Sequence, residues 1–126
     1  MSDNNQKIGN IEWCDLTVSN AEDIKDFYSK IVGWEPHPTS MGEYDDYAMN
    51  LPENKECVTG ICHAKGPNKN MPAQWLMYVR VRDVEVSARD CLDAGGEVLE
   101  EPRPMGSSKL CVIKDPAGAM LALISD

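Results

Sequence analysis

Alternating and helical hydrophobic patterns divide the chain into strands and helices in a fixed order. In Ile11–Val18 the even positions Cys14, Leu16 and Val18 are apolar and the odd positions are mostly polar or amphipathic, which is typical of a strand with two different faces. A stripe at helical spacing follows. It consists of Ile24, Phe27, Tyr28 and Ile31. A strand followed by a helix is therefore predicted over residues 11–32.

Residues typical of helix caps lie at both ends of this helix. Asn20 precedes the stripe and Asp23 stands three residues later, which predicts an N-terminal capping box. Gly33 follows the stripe and predicts a left-handed end to the helix.

The same pattern recurs later in the chain. An offset of 63 positions places Val81 on Val18, Asp83 on Asn20 and Gly96 on Gly33. A repeat at a fixed offset indicates a duplicated structural unit. A Gly-, Pro- and Asn-rich linker over 65–72 separates the copies, giving modules 9–64 and 73–126 of one domain and a polar tail over 1–8.

The remaining strands complete each copy. The second copy begins with a strand over 74–82 and a helix capped by Asp83, with a loop predicted over 101–108. The other predicted strands are 44–51, 57–64, 97–100, 109–114 and 120–125, while residues 35–40, with two prolines, are either a short edge strand or a turn. The second helical stripe is Val84, Ala88, Cys91 and Leu92. The fold class is therefore α+β, with two βαβββ modules that form a curved, half-barrel mixed sheet around a cleft and with the helices outside.

Composition and charge narrow the function classes. The chain of 126 residues is long enough for one domain, and a net charge of −9 disfavours nucleic acid and anionic membranes as partners. No signal peptide or membrane span is visible, so a cytoplasmic location is expected. Five cysteines without a CxxC pair argue against a disulfide framework and a structural zinc site.

Two motifs carry a family resemblance. The phrase VSN-x6-FY-x4-GW in the first copy, the segment KDPAGAMLALI near the end and the duplicated unit itself resemble the vicinal oxygen chelate superfamily. That superfamily includes glyoxalase I, bleomycin-resistance and fosfomycin-resistance proteins and extradiol dioxygenases. The resemblance covers residues 9–126 and concerns the fold more than the reaction.

The resemblance also implies where a divalent metal would bind. In metal-using members, each half supplies ligands from its first and last strands. The matching positions here are Trp13, Leu76 and Ala122, whose side chains cannot bind a metal, and His63 is the candidate for the fourth. One imidazole does not make a metal centre. No metal or other cofactor is therefore expected, and an atypical divalent metal site is the alternative.

Strand alternation predicts the side chains that face the cleft. The predicted ligand-binding residues are Trp13, Asp15, Thr17, His63, Leu76, Tyr78, Arg80, Met120 and Ala122. Three of them, His63, Asp15 and Tyr78, are candidates for acid–base catalysis. Structural roles are the alternatives: Asp15 pairs with Arg80, Trp13 fills the space of a metal, and His63 and Tyr78 belong to the core.

Three functional hypotheses remain open. The first is metal-independent binding of a small, partly apolar ligand, as in bleomycin-resistance proteins. The second is a lyase, isomerase or dioxygenase of the glyoxalase type with an atypical or lost metal site. The third is a non-catalytic interaction or regulatory module. The resemblance further implies a homodimer.

Overall fold

The computed structural model describes residues 7–126, so residues 1–6 of the predicted tail lie outside the described part. Each half of the chain runs strand, helix and three strands. The elements of the first half are β1 (Ile11–Val18), α1 (Ala21–Val32), β2 (Glu35–Ser40), β3 (Asp45–Asn50) and β4 (Cys57–His63). Those of the second half are β5 (Trp75–Arg80), α2 (Val84–Asp93), β6 (Glu97–Met105), β7 (Ser108–Lys114) and β8 (Met120–Ser125). A 3-10 turn, Gly66–Asn68, lies in the predicted linker.

The chain divides into two compact units. The first unit is Cys14–Trp75, and the second is Leu76–Asp126 together with the residues up to Trp13. In the first unit the strand order is β2-β3-β4-β1, and in the second it is β5-β8-β7-β6. Strands β1 and β4 are parallel, as are β5 and β8, while the other pairs within each unit are antiparallel. The predicted α+β class with mixed sheets and two βαβββ modules is confirmed.

The first unit places its core between α1 and one face of its sheet. The cluster consists of Leu16, Ala21, Tyr47, Met49 and Ile61, all buried. Val18 packs against this cluster, so the predicted inward face of β1 is confirmed. Full burial of a side chain such as Ile61 contributes roughly 1.5–3 kcal/mol.

The second unit repeats this arrangement with α2. Its cluster consists of Val84, Ala88, Cys111 and Leu123, with Val79, Val81, Val98, Ile113 and Leu121 packed against it. Val79 and Leu123 are neighbours in the β5–β8 register. Each sheet therefore has one face committed to its helix, and the alternate residues lie on the opposite face.

The apolar stripe of α1 is only partly used for packing. Ile24 and Tyr28 pack against the first core. Phe27 is 54% exposed and Ile31 is 66% exposed, so the helix predicted from the stripe is confirmed but these two members lie outside the core. The same is true in α2 of Leu92, which is 57% exposed. Helical spacing reports which residues share a side of the helix, but not how wide the sheet beneath it is.

Strand β6 is longer than the sequence predicts. It continues through Pro102 and Pro104 to Met105, where the sequence suggests a loop. β6 is the outer strand of the second unit, as β2, which contains Pro36 and Pro38, is of the first. Proline is tolerated in an edge strand at positions where the N–H would point away from the single neighbouring strand, so that no ladder hydrogen bond is lost. Shifts in the β6–β7 register accommodate the extra length.

The two helices begin differently, although their sequences look alike. The Asp83 carboxylate accepts a hydrogen bond from the Glu85 N–H at 2.9 Å, so the predicted cap of α2 is confirmed. The Asn20 side chain makes no capping hydrogen bond, and the predicted capping box of α1 is wrong. The end of α1 is as predicted, since Gly33 has φ 94°. Within residues 7–126, neither helix is long and apolar enough to cross a membrane.

Candidate functional site

The sheet face opposite α1 in the first unit collects small and polar side chains. Asp15 in β1 pairs with Gly60 in β4, and Gly60 pairs with Ala48 in β3. Leu16 and Ile61 lie next to this row and point to the helix, so Asp15 lies on the other face. Because Gly60 has no side chain and Ala48 only a methyl group, the residues beside the Asp15 carboxylate are small.

A second polar row crosses the same face. Thr17 in β1 pairs with Cys62 in β4, and Thr17 is buried. Burial, the nearby carboxylates of Asp15 and Asp46, and a hydrogen bond with Asp46 together raise the pKa of the Cys62 thiol to about 12. This thiol is neutral at physiological pH and is a poor nucleophile. It therefore serves the face as a small polar group.

Asp46 is a residue of this cluster that the sequence analysis missed. Its Oδ1 accepts a hydrogen bond from the His63 N–H at 2.8 Å. The only sequence signal was the pair of acidic residues at 45–46 within an otherwise apolar strand. Such a pair usually marks a solvated strand end, so spacing along the chain could not distinguish the two roles.

His63 faces the core side of the sheet. It lies two residues after Ile61 on β4 and therefore shares the face of Ile61. Its ring contacts the rings of Tyr44 and Tyr47, with centroid distances of 5.2 and 6.4 Å. Its Nδ1 lies 2.8 Å from the Asp45 carbonyl oxygen, which can only accept, so Nδ1 carries the proton. The register thus separates His63 from Asp15, which lies on the other face. A role for either residue in binding or catalysis stays a prediction.

A buried acceptor lies at the end of β3. The Asn50 Oδ1 atom has no hydrogen-bond partner among residues 7–126, at the point where the β3–β4 register shifts. An unsatisfied buried acceptor costs roughly 1–3 kcal/mol. This buried acceptor is therefore a local cost to stability at the irregular end of β3.

In the second unit, the face opposite α2 is mainly apolar. Leu76, Tyr78 and Arg80 alternate along β5 and are all buried, while Val79 between them packs on α2. Tyr78 pairs with Ala122 in β8. Met120 lies two residues before Ala122, on the same face, and is half-buried. The predicted shared face of these five residues is confirmed.

Arg80 is held by two carboxylates. Its Nε and Nη2 atoms donate to the two Glu12 carboxylate oxygens at 3.0 and 2.8 Å, and Nη1 donates to Asp126 at 3.3 Å. The hydrogen bond with Arg80 lowers the pKa of Glu12 below its usual value. The ion pair suggested by the sequence, between Asp15 and Arg80, is therefore replaced by pairs with Glu12 and Asp126.

The positions matching the superfamily's metal ligands do not fit a metal. Trp13 is 37% exposed, and Leu76 and Ala122 are buried. Indole, isobutyl and methyl groups have no lone pair suited to a divalent ion. Within residues 7–126 no three His, Cys, Asp or Glu side chains are grouped as a metal site requires.

Curated relatives match most of this chain over part of their own length. A putative glyoxylase, CFP32, of Mycobacterium tuberculosis is 29% identical over 121 residues, covering 91% of this chain and 45% of that protein. The anthracycline biosynthesis protein DnrV of Streptomyces peucetius is 28% identical over 123 residues, covering 88% and 45%. The chain thus spans about 45% of the length of these relatives.

Solved structures share the fold at low identity. A glyoxalase/bleomycin resistance protein/dioxygenase superfamily member from Vibrio splendidus matches with TM-score 0.57 and 11% identity, covering 93% of this chain and 100% of that one. A Streptomyces coelicolor methylmalonyl-CoA epimerase matches with TM-score 0.53 and 17% identity, covering 95% and 96%. At these identities the likeness concerns the fold alone.

The family model agrees with the folds and the motifs. It is the model of the glyoxalase/bleomycin resistance protein/dioxygenase superfamily, and it matches residues 10–123. This chain therefore belongs to the glyoxalase/bleomycin resistance protein/dioxygenase superfamily.

Proposed function

We propose that this chain binds a small, partly apolar molecule on the sheet faces opposite the helices, without a resident metal ion. The observation that carries the proposal is that the two faces of each sheet differ in what they contact. One face packs on a helix, while the other carries polar groups that the helix-packed cores do not use. Small-molecule sites combine apolar walls with a few placed polar groups.

In the first unit, the proposed binding face is polar. Asp15 and Thr17 lie two residues apart on β1, and Cys62 and Asp46 lie beside them. These groups favour a ligand that offers hydrogen-bond donors, such as hydroxyl or amine groups.

In the second unit, the corresponding face is mainly apolar. Leu76, Tyr78 and Ala122 form a row of buried apolar and aromatic groups on the corresponding face. Arg80 is already neutralised by Glu12 and Asp126, so it fixes the end of β5 rather than offering a free charge to an anionic ligand.

Metal analysis tests the metal-independent part. Elemental analysis of the purified protein should find far less than one transition metal ion per chain, and dialysis against EDTA should leave the thermal midpoint unchanged. Zinc, nickel, manganese or iron bound at one ion per chain, and removed by EDTA with loss of ligand binding, would overturn it.

Fragment screening by NMR tests the binding face. Small aromatic alcohols and ketones should shift the amide signals of Asp15, Thr17 and Cys62, and Asp15→Asn should weaken their binding by about three- to tenfold through loss of a charged acceptor. Asp26→Asn, an exposed change on α1, is the matched control and should leave binding as it is. Equal losses in both variants, or shifts confined to the helix surfaces, would contradict this placement.

A second candidate is turnover of the glyoxalase type. Two carboxylates, Asp15 and Asp46, lie near each other around Cys62, and a carboxylate is able to move a proton between adjacent carbon atoms. The relatives named as putative glyoxylases also favour this candidate. The hemithioacetal of methylglyoxal and glutathione is the substrate to assay. Turnover that falls at least about a hundredfold in Asp15→Asn or Asp46→Asn would establish it, whereas no turnover would leave binding as the function.

A further inference from the structure

A cavity on the helix side of the second unit is not part of the proposed binding face. It is open to solvent, has a volume of ≈ 360 Å³ and lies between α2 and the strands beneath it. Its lining consists of Val81, Ser87, Asp90, Cys91, Ala94, Gly96, Ile113, Asp115, Pro116 and Leu123. None of the predicted ligand-binding residues is among them. Its volume falls in the range of small-molecule sites, which starts at about 300 Å³.

The walls of this cavity are apolar and the charges at it are negative. Val81, Ile113 and Leu123 belong to the second core, so their positions are fixed by packing. The charged side chains in the lining are the carboxylates of Asp90 and Asp115, and no Lys or Arg contributes to it.

Both carboxylates retain acceptor capacity. The Oδ1 atom of Asp115 accepts the N–H groups of Ala117 and Ala119 at 2.8 and 3.0 Å, which fixes the side chain and leaves Oδ2 for another donor. The Asp90 side chain forms no ion pair among residues 7–126. Both residues are exposed, so a ligand can reach them.

The helix itself adds to the negative potential. Cys91 and Ala94 lie in the last turn and at the C-cap of α2, where the carbonyl groups of Asp90, Cys91 and Leu92 accept hydrogen bonds from the N–H groups that follow. A helix C-terminus still favours cations, because the peptide dipoles add up along the helix. No basic residue occupies the last turn of α2. The end of this helix therefore lacks the Lys or Arg that often neutralises it.

We propose that this cavity binds a small organic ammonium ion, with its apolar or aromatic body against Val81, Ile113 and Leu123 and its amine between Asp90 and Asp115. Shape and charge select the ligand together: the apolar walls exclude a hydrated metal ion, and the two carboxylates exclude an anion. This site is independent of the binding face proposed above, because it uses the opposite side of the sheet.

A matched pair of probes tests the proposal. 2-Phenylethylammonium and 2-phenylethanol share an aromatic body and differ in charge. In a ¹⁵N NMR titration of the whole chain, the ammonium ion should produce saturable shifts at the amides of Cys91 and Gly96. The alcohol should bind at least about threefold more weakly, because it lacks the ion pairs.

Variants distinguish binding in this cavity from a general attraction of the ammonium ion to a negatively charged protein. Asp90→Asn and Asp115→Asn should each weaken binding of the ammonium ion about two- to fivefold. The amide oxygen of Asn at 115 can still accept the two backbone hydrogen bonds of the turn. Asp93→Asn, an exposed change on the same helix outside the cavity lining, is the control and should have no effect. Ser87→Leu fills the cavity with a good helix former and should abolish binding of both probes.

Four outcomes would overturn the proposal: no saturable shift at Cys91 and Gly96, equal affinity for both probes, an equal loss in Asp93→Asn, or binding that survives Ser87→Leu. Shifts of the same amides on dilution, without probe, would show that a second copy of the chain covers the cavity and would also overturn it.

Discussion

Arg80 shows what one buried charge does in this fold. Its side chain is 9% exposed and meets both oxygens of Glu12 in a bidentate pair, with Asp126 as a third contact. Bidentate, charge-assisted hydrogen bonds are roughly twice as strong as neutral ones. The hydrogen bond to Glu12 raises the pKa of Arg80, and the same contact lowers the pKa of Glu12.

We expect Arg80→Met to lower the free energy of unfolding by about 1–3 kcal/mol, because it removes three charge-assisted hydrogen bonds while keeping most of the side-chain volume. Lys109→Met is the control, since it breaks an exposed pair with Glu85 and should cost less than about 1 kcal/mol. Urea denaturation measures both values. Equal losses would mean that the Arg80 contacts contribute no more than a surface pair.

The Glu12 pair also predicts a dependence on pH. Because the pKa of Glu12 is lowered by folding, its contribution is present above the unfolded value and is lost as the pH falls through the folded value. The stability of the wild type should therefore decline more steeply below about pH 4.5 than that of Glu12→Gln. Parallel acid profiles of the two proteins would contradict this.

Single residues also show which side-chain positions can be predicted from the sequence. Strand alternation correctly assigned Arg80, Tyr78 and Leu76 to one face, because that assignment depends on local periodicity. The partner of Arg80 could not be predicted in this way. Glu12 is 68 positions away, and only the arrangement of β1 and β5 brings the two side chains together. The face on which His63 lies could not be predicted from the sequence either, since it follows from the register of β4 with β1.

At the scale of secondary-structure elements, the two helix starts differ in backbone geometry rather than in residue type. Asp83 has φ −156° and ψ 112°, an extended conformation from which a side chain reaches the first free N–H groups. Asn20 has φ −116° and ψ 49°, and its carbonyl accepts from Asp23 and Ile24 while its side chain makes no cap. Asn and Asp are both good N-cap residues, so the sequence does not distinguish the two helix starts. The difference lies in the backbone conformation, which the residue type does not specify.

Asp83→Ala should therefore cost about 1 kcal/mol of stability, through loss of the hydrogen bond to the Glu85 N–H. Asn20→Ala should change the stability by only a few tenths of a kcal/mol, although both residues precede a helix by the same offset. Denaturant midpoints of the two variants, measured side by side, check the difference. A larger loss for Asn20→Ala would show that the geometry of the two starts is reversed in solution.

At the scale of the whole molecule, the two units have separate cores but not separate strands. The division falls between Trp13 and Cys14, within β1, and between Trp75 and Leu76, within β5. The sequence repeat correctly predicted two modules, since it reports duplicated periodicity. It could not predict the cavities around α2, which depend on how closely that helix packs on its sheet.

Because each unit holds only part of these strands, we expect one cooperative unfolding transition. Ile61→Ala in the first core should lower its free energy by about 2–5 kcal/mol, and Leu123→Ala in the second core should do the same. Ile31→Ala, at an exposed position on α1, should cost less than about 1 kcal/mol. Calorimetry checks whether each core variant shifts the whole transition. Two separable transitions, one for each variant, would contradict this expectation.

The proline pairs in β2 and β6 have a consequence for the protein in crowded solution. An outer strand normally offers a row of N–H and C=O groups on which a foreign strand can assemble, and this is the first step toward fibrils. Pro36 with Pro38, and Pro102 with Pro104, remove donors at alternate positions of the two outer strands. The outer strand of each unit is thus a poor template for a foreign strand.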